Sequence, residues 1–367
     1  EIGMDADDVD TPALLVDLDA FEHNISLMAV QVAEFGVAHR PHAKTHKSPD
    51  VARRQIAVGA VGQCCQKVGE AEALVAGGIQ DVLVSNQIVG SRKLDRLAAL
   101  AKVVRISVCV DDARNIEDIS SAAQKFNAEI EVLVEIDIGA GRCGVAPGVA
   151  AVELAKKVDA AKGLKFAGLQ AYQGRAQHIR GFGERRIAIE KAGGKVKDTV
   201  QKLEDAGLEC RLVTGAGTGT FQFEAGSGIW NELQAGSYCF MDADYGLNLN
   251  EDGTYVDTFH QSLFVLATVM SHPMKGRAVL DAGHKAASID SGLPKIADLD
   301  DVTYAGASDE HGTLVLGTNA PTIKLGDKLR LIPGHCDPTV NLHDWYVGVR
   351  GGVVEALWPV AARGAVF

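Results

Sequence analysis

Apolar and polar positions alternate in blocks along the first two thirds of the chain. Short apolar runs at 11–17, 37–41, 60–65, 81–84, 104–110, 130–136, 164–171 and 210–213 read as strands. Between them the apolar residues fall at helical spacing. Phe21, Ile25, Met28 and Val32 line one face of 19–34, and similar patterns cover 49–58, 69–76, 91–101, 115–125, 149–161 and 181–206. Eight β units alternating with helices over about 215 residues predict an α/β fold, a (β/α)8 TIM-type barrel at residues 10–230. Past Asn231 the helical period fades. Runs at 262–270, 277–281, 328–332, 346–350 and 353–358, separated by Gly and Asp turns, predict a mostly antiparallel β domain at 231–367. Residues 1–9 are expected to pack with it.

Composition narrows the partners. With 47% hydrophobic residues and a net charge of −12, the chain has ample core and lacks the basic patches that nucleic acid or an anionic membrane would need. No apolar run approaches the roughly 18 residues of a membrane span, and Glu1-Ile2-Gly3-Met4-Asp5 has no signal pattern. The seven cysteines are odd in number and sit mostly in apolar runs, which suggests reduced thiols and a cytoplasmic protein.

In a parallel barrel the chemistry gathers where strands end. The segment Val37-Ala38-His39-Arg40-Pro41-His42-Ala43-Lys44-Thr45-His46-Lys47 starts apolar and finishes in cations. Arg40, His42 and Lys44 share a face if it is extended. A lysine at a strand end among other cations is expected to lose proton affinity, as an amine needs for Schiff-base formation. The other strands deliver Gln66, Ser85 and Asn86, Asp111, Asp137 and Arg142, then Tyr172 with His178 beyond it. The last runs into Thr214-Gly215-Ala216-Gly217-Thr218-Gly219-Thr220. A Gly-rich loop after strands 7–8 can present several backbone N–H groups to a phosphate. A lysine for an aldehyde, a nest for a phosphate and Arg142 for a ring nitrogen together describe pyridoxal 5′-phosphate. Farther on, His335 and Asp337 in Gly334-His335-Cys336-Asp337-Pro338 would lie on one side of an extended segment, with Cys336 pointing away. Imidazole plus carboxylate suits Mg²⁺ or Mn²⁺, or Zn²⁺, with positions left for water or substrate.

These motifs, with Cys65-Gln66-Lys67-Val68, Gly141-Arg142-Cys143-Gly144, Gln170-Ala171-Tyr172-Gln173-Gly174, Glu232-Leu233-Gln234-Ala235-Gly236-Ser237-Tyr238, Ser308-Asp309-Glu310-His311-Gly312 and Trp358-Pro359-Val360, run in order along nearly the whole chain. Taken together they resemble the D-threonine aldolase group of pyridoxal-phosphate enzymes with the alanine-racemase type of fold. The resemblance implies Lys44 as Schiff-base lysine and Arg142 at the pyridine nitrogen. It places Gln66, Asn86, Tyr172, Thr214, Gly217, Thr218, Gly219, Gly236, Ser237 and Tyr238 around the cofactor. It also implies His335 and Asp337 at a divalent metal, and a homodimer.

The implied reaction is retro-aldol cleavage of a D-β-hydroxy-α-amino acid, of the D-threonine or 3-hydroxy-D-aspartate type, to glycine and an aldehyde. His178 is the candidate base for the β-hydroxyl proton. For a second substrate carboxylate the candidates are Arg175, His284 and Lys285, and His42 also stands near substrate. The His-x-Asp spacing favours the aldolases over the dehydratases of D-serine or D-3-hydroxyaspartate, which resemble the chain otherwise but carry His-x-Cys. A non-catalytic pyridoxal-phosphate carrier and an amino-acid racemase remain as alternatives.

Overall fold

The computed structural model describes residues 1–367. Its strands, in chain order, are β1 (Ala13–Asp17), β2 (Ala38–His39), β3 (Gln63–Cys65), β4 (Asp81–Gln87), β5 (Arg105–Val110), β6 (Ile130–Glu135), β7 (Leu164–Ala171), β8 (Leu212–Gly215) and β9 (Glu232–Leu233). Then follow β10 (Leu263–Met274), β11 (Arg277–Leu280), β12 (Lys295–Ile296), β13 (Val302–Ala307), β14 (Gly312–Leu316), β15 (Lys328–Ile332), β16 (Trp345–Arg350) and β17 (Val353–Pro359).

Strands β2–β9 form one parallel sheet in the order β2-β9-β8-β7-β6-β5-β4-β3. Its two ends meet: Cys64 N donates to Pro41 O at 2.8 Å and Ala43 N to Cys64 O at 2.7 Å. The sheet thus curls round with helices outside it, an alanine-racemase-like fold. Inward-facing Cys64, Leu83, Cys109, Leu133 and Ala167 pack into an apolar layer. Beneath them lies an ionic floor. Buried Arg40 reaches Asp81 at 2.7 Å and Glu232 at 3.0 Å, and Arg105 joins Asp81 at 3.0 Å to Glu131 at 2.6 Å. Buried Arg40 is tolerated because it is met by two carboxylates, while Arg105 lies at the exposed edge of the network.

The sequence reading needs one correction here. The run 11–17 was expected as the first barrel strand, yet β1 lies in the other sheet, antiparallel to β10 and parallel to β16. The eighth barrel strand is the two-residue β9, past the expected boundary at 230. Leu14 and Val16 on one face and Leu15 on the other are all buried, and a strand covered on both faces reads the same in either sheet.

The second sheet runs β13-β14-β11-β10-β1-β16-β17, with β15 pairing β10 and β12. Gly3 N and Ala6 N donate to Val354 O and Gly352 O, each at 2.8 Å, so the first residues lie along β17. Phe21 on the helix Leu18–Glu34 packs against Phe240 and Trp358, joining the two units. All seven cysteines are free. No helix is long and apolar enough to cross a membrane.

Candidate active site

The C-terminal ends of the parallel strands surround a cavity of about 120 Å³. Of the residues singled out in the sequence, His42, Lys44, Gln66, Arg142, Tyr172, Gly217, Thr218, Gly236 and Ser237 line it. They come from six different connections, and only closure of the sheet brings them together.

Lys44 follows a turn rather than continuing a strand: β2 ends at His39, and Thr45, His46 and Lys47 N–H groups bond back to residues 42 and 43. Its ammonium forms an ion pair with Asp337. Burial works against the charge, but the Asp337 carboxylate prevails and holds the Lys44 pKa above its ordinary value. This reverses the expected depression. The supposed cationic neighbours do not act as such: Arg40 is bound to carboxylates below, and burial keeps His42 neutral. Asp337 responds in the opposite sense. Burial would raise it, yet Lys44 and His335 hold it well below the usual carboxylate range.

His42 is fixed from two sides. Lys44 N donates to Nδ1 at 3.3 Å, so Nε2 carries the proton and donates to Ser85 Oγ at 3.2 Å, which also accepts from the Gln66 amide at 3.2 Å. Glu70 anchors this corner. It accepts from Gln66 N at 2.8 Å and from buried Lys47 Nζ at 2.7 Å. Opposite, the Arg142 guanidinium lies 5.6 Å from the Tyr172 ring centre and 4.0 Å from Glu135 Oε1. Burial raises the Tyr172 phenol, with Lys44 and Arg142 opposing that rise.

At the loop 215–219 the backbone amides of Gly217, Thr218 and, from the next connection, Gly236 make no hydrogen bond to the protein. Three convergent donors without partners are what a phosphate group needs. Only glycine fits at two of these places. A Cβ at Gly217 would stand 2.5 Å from Gln177 Oε1, and one at Gly236 2.6 Å from His42 O. Ala216 takes φ +70°, completing the turn without glycine. A lysine amine in the same cavity makes this donor set fit pyridoxal 5′-phosphate.

Four residues expected at the cofactor lie outside the lining. Asn86 donates to Gln66 O at 3.1 Å. Thr214 Oγ1 is turned down onto Glu232 Oε1 at 3.0 Å. Gly219 N is taken by Gln177 Oε1 at 3.0 Å. Tyr238 is in the core with its hydroxyl on Gln55, and only its N–H touches the loop, at Thr218 Oγ1, 3.0 Å away. Arg175 and His284 are exposed, and exposed Lys285 is paired with Glu310 at 2.6 Å. His178 also stands beside the cavity rather than in its wall. Its ring lies 5.4 Å from that of Tyr245, and Nδ1 is 2.5 Å from Asp244 Oδ2.

His335 and Asp337 do meet at the mouth, by a different route from the extended one expected. His335 is extended, but a short helix, Cys336–Val340, starts right after it, with Pro338 in the first turn where a missing N–H costs nothing. His335 Nε2 is 3.9 Å from Asp337 Oδ2, and Asp290 holds Nδ1 at 2.9 Å. This leaves Nε2 as a lone-pair donor beside a carboxylate, as a metal-binding histidine needs. The pair fits a divalent cation as two ligands; no group of three His, Cys, Asp or Glu side chains is placed to hold one. Cys336 is buried and its N–H donates to Asp242 at 3.0 Å.

Several wall residues had no role in the sequence reading: Thr45, Gln170, Gln234 and Tyr245. Gln170 and Gln234 exchange amide hydrogen bonds at 2.7 and 3.2 Å, and Gln234 also reaches Thr214 at 2.9 Å. The available signal was a glutamine inside an otherwise apolar barrel strand, where attention fell instead on residues past the strand ends.

Comparison with known proteins agrees with this geometry. Residues 16–244 match the family described as "Alanine racemase, N-terminal domain", and residues 262–349 the "Putative serine dehydratase domain". The chain is 52% identical to the 3-hydroxy-D-aspartate aldolase of Paracoccus denitrificans (strain Pd 1222), over 99% of this chain and 94% of that one. It is 49% identical to the D-threonine aldolase of Arthrobacter sp, over 97% and 93%. The crystal structure of D-threonine aldolase from Filomicrobium marinum superimposes with a TM-score of 0.98 at 52% identity, covering 100% of this chain and 99% of that one. The chain therefore belongs to the D-threonine aldolase family, with its alanine-racemase-like fold, and is a lyase.

Proposed function

We propose that the protein is a pyridoxal-phosphate- and divalent-metal-dependent aldolase that cleaves D-β-hydroxy-α-amino acids to glycine and an aldehyde, and that it works as a homodimer. The observation that carries this reading is the single cavity lined by the Lys44 amine and by the unpartnered amides of Gly217, Thr218 and Gly236, with the Asp337 carboxylate paired to that amine. Pyridoxal phosphate, when bound, supplies the aldehyde that the Lys44 amine captures and the conjugated ring that takes up electrons as Cα–Cβ breaks. A divalent cation, when held by His335 and Asp337, supplies Lewis acidity toward the β-hydroxyl.

The chain's own groups do the rest. Lys44 waits as an ammonium on Asp337 and must pass its proton on before its nitrogen can react. Asp290, by occupying His335 Nδ1, keeps Nε2 as the free nitrogen. His178, with Nδ1 donating to Asp244, offers Nε2 as the acceptor for the hydroxyl proton. Arg142 holds a fixed positive charge on the Tyr172 side, and being unable to give up its proton it would keep a facing ring nitrogen unprotonated.

The test is a product assay with D-threonine and 3-hydroxy-D-aspartate. Glycine and aldehyde are expected; ammonia and a keto acid would instead establish a dehydratase. Lys44→Ala is expected to lose the absorbance near 410–430 nm that added cofactor gives the unaltered protein. Dialysis against a chelator is expected to lower activity at least about tenfold, with recovery on Mn²⁺ or Mg²⁺ in the unaltered protein but not in His335→Ala.

A further inference from the structure

A carboxyl group lies behind the phosphate-binding loop with nothing to balance its charge. Glu224, on the short helix Phe221–Gly226, is 1% exposed. Its Oε1 accepts from Thr220 Oγ1 at 2.8 Å, while Oε2 is buried with no hydrogen-bond partner. No cation lies within ion-pair distance. On the neighbouring helix Phe182–Asp205, Arg186 is engaged by Glu190 at 3.7 Å, and on β9 Glu232 is engaged by Arg40. Gln173 and Gln177 on the connection after β7 are uncharged, and Glu34 stands at the end of the helix whose Phe35 abuts Gly226.

From Glu224 a directed run of hydrogen bonds leads to the loop. Thr220 Oγ1 accepts from Gln177 Nε2 at 2.8 Å, and Gln177 Oε1 accepts from Gly219 N at 3.0 Å. Each donor points toward Glu224. Gln177 is fully buried and is the side chain against which Gly217 is packed. The run therefore turns the Gly219 amide away from the cavity and sets the plane from which Gly217 and Thr218 present theirs.

We propose that Glu224 is a positioning residue for this loop that must be neutral when the loop holds a phosphate dianion, so that cofactor binding draws a proton onto Glu224. The inference rests on the pyridoxal-phosphate reading above. A carboxylate and a phosphate on opposite sides of one loop, with little water between, repel strongly. Burial already pushes the Glu224 carboxyl up to about 7, and its charge is felt as far as Tyr172 in the cavity wall. The phosphate adds to the same tendency.

Pyridoxine 5′-phosphate, which lacks the aldehyde and cannot condense with Lys44, is the probe. It is titrated into the full-length, cofactor-free protein between pH 7 and 8.5, where the phosphate is a dianion. For the unaltered protein the affinity is expected to weaken up to about tenfold per pH unit relative to Glu224→Gln, which keeps the Oε1 acceptor but cannot ionise. Calorimetry in buffers of different ionisation enthalpy is expected to show up to about one proton taken up at pH 8 by the unaltered protein, beyond any taken up by Glu224→Gln. Parallel pH curves for the two proteins, or no proton uptake, would overturn the proposal. If Glu224→Gln does not fold, the uptake by the unaltered protein decides. Absence of binding in a natively folded protein at every pH would instead remove the cofactor reading, and this proposal with it.

Discussion

His178 has one ring nitrogen committed, since Nδ1 faces Asp244 Oδ2 at 2.5 Å, and Asp244 is itself buried and ion-paired with Arg180. Arg180 is held in turn by Asn248 Oδ1 at 2.9 Å and by the carbonyl of Asp244 at 2.7 Å. The carboxylate thus selects the tautomer that leaves Nε2 free, the form a general base requires. Asp244→Asn is expected to lower kcat by about a hundredfold or more with little change in KM. Equal kcat in the variant would show that His178 takes no proton. Asp244 was visible in the sequence only as part of Asp242-Ala243-Asp244-Tyr245-Gly246, because its partner is 66 residues away along the chain and no local spacing announces the pair.

At the scale of the element, β7 carries a bulge. Its register against β6 slips between Phe166 and Gly168, where Gly168 takes φ +147°. A Cβ there would stand 1.9 Å from Leu212 O on β8, a backbone atom that cannot swing aside. Gly168→Ala is expected to cost about 3 kcal/mol or more, read as a lowered urea midpoint. The same bulge turns Gln170 into the barrel, where it pairs with Gln234. Seven of the eight barrel strands and the helices between them were legible, because apolar runs of this length bounded by turns have few other readings. β9 was not, being two residues long, and β1 was read into the wrong sheet. The site was legible where it follows strand ends, as at Lys44, Gln66, Arg142 and Tyr172. It was illegible where inward-facing strand residues or distant loops complete it, as at Gln170 and Asp290. The ionisation of Lys44 was also misread, since its deciding neighbour, Asp337, lies in the other sheet's half of the chain.

For the whole molecule, buried histidines set the acid limit, His39 and His46 beside His42 of the cavity wall. Burial pushes His39 and His46 down to about 4, each with one ring nitrogen committed, to Ala235 O and Ser48 N–H respectively. The fold holds both neutral, whereas the unfolded chain protonates them near 6.5. Stability is therefore intact above about pH 6.5 and is lost as pH falls toward 4, by at most about 1.4 kcal/mol per pH unit for each group. Urea midpoints are expected to drop across that window, and His46→Asn to remove part of the slope, since buried His42 and His343 are lowered in the same sense. An unchanged slope would mean that the imidazoles stay hydrated in the fold.

The position of β1 has a consequence during synthesis. It lies between β10 and β16, so both of its neighbours are made only after the entire parallel sheet has left the ribosome. Throughout that interval Leu14, Leu15 and Val16 form a sticky ribbon with unpaired backbone on either side. The nascent chain is thus most exposed to holdase capture and to self-association while its catalytic half is already taking shape, and release must await the last strands.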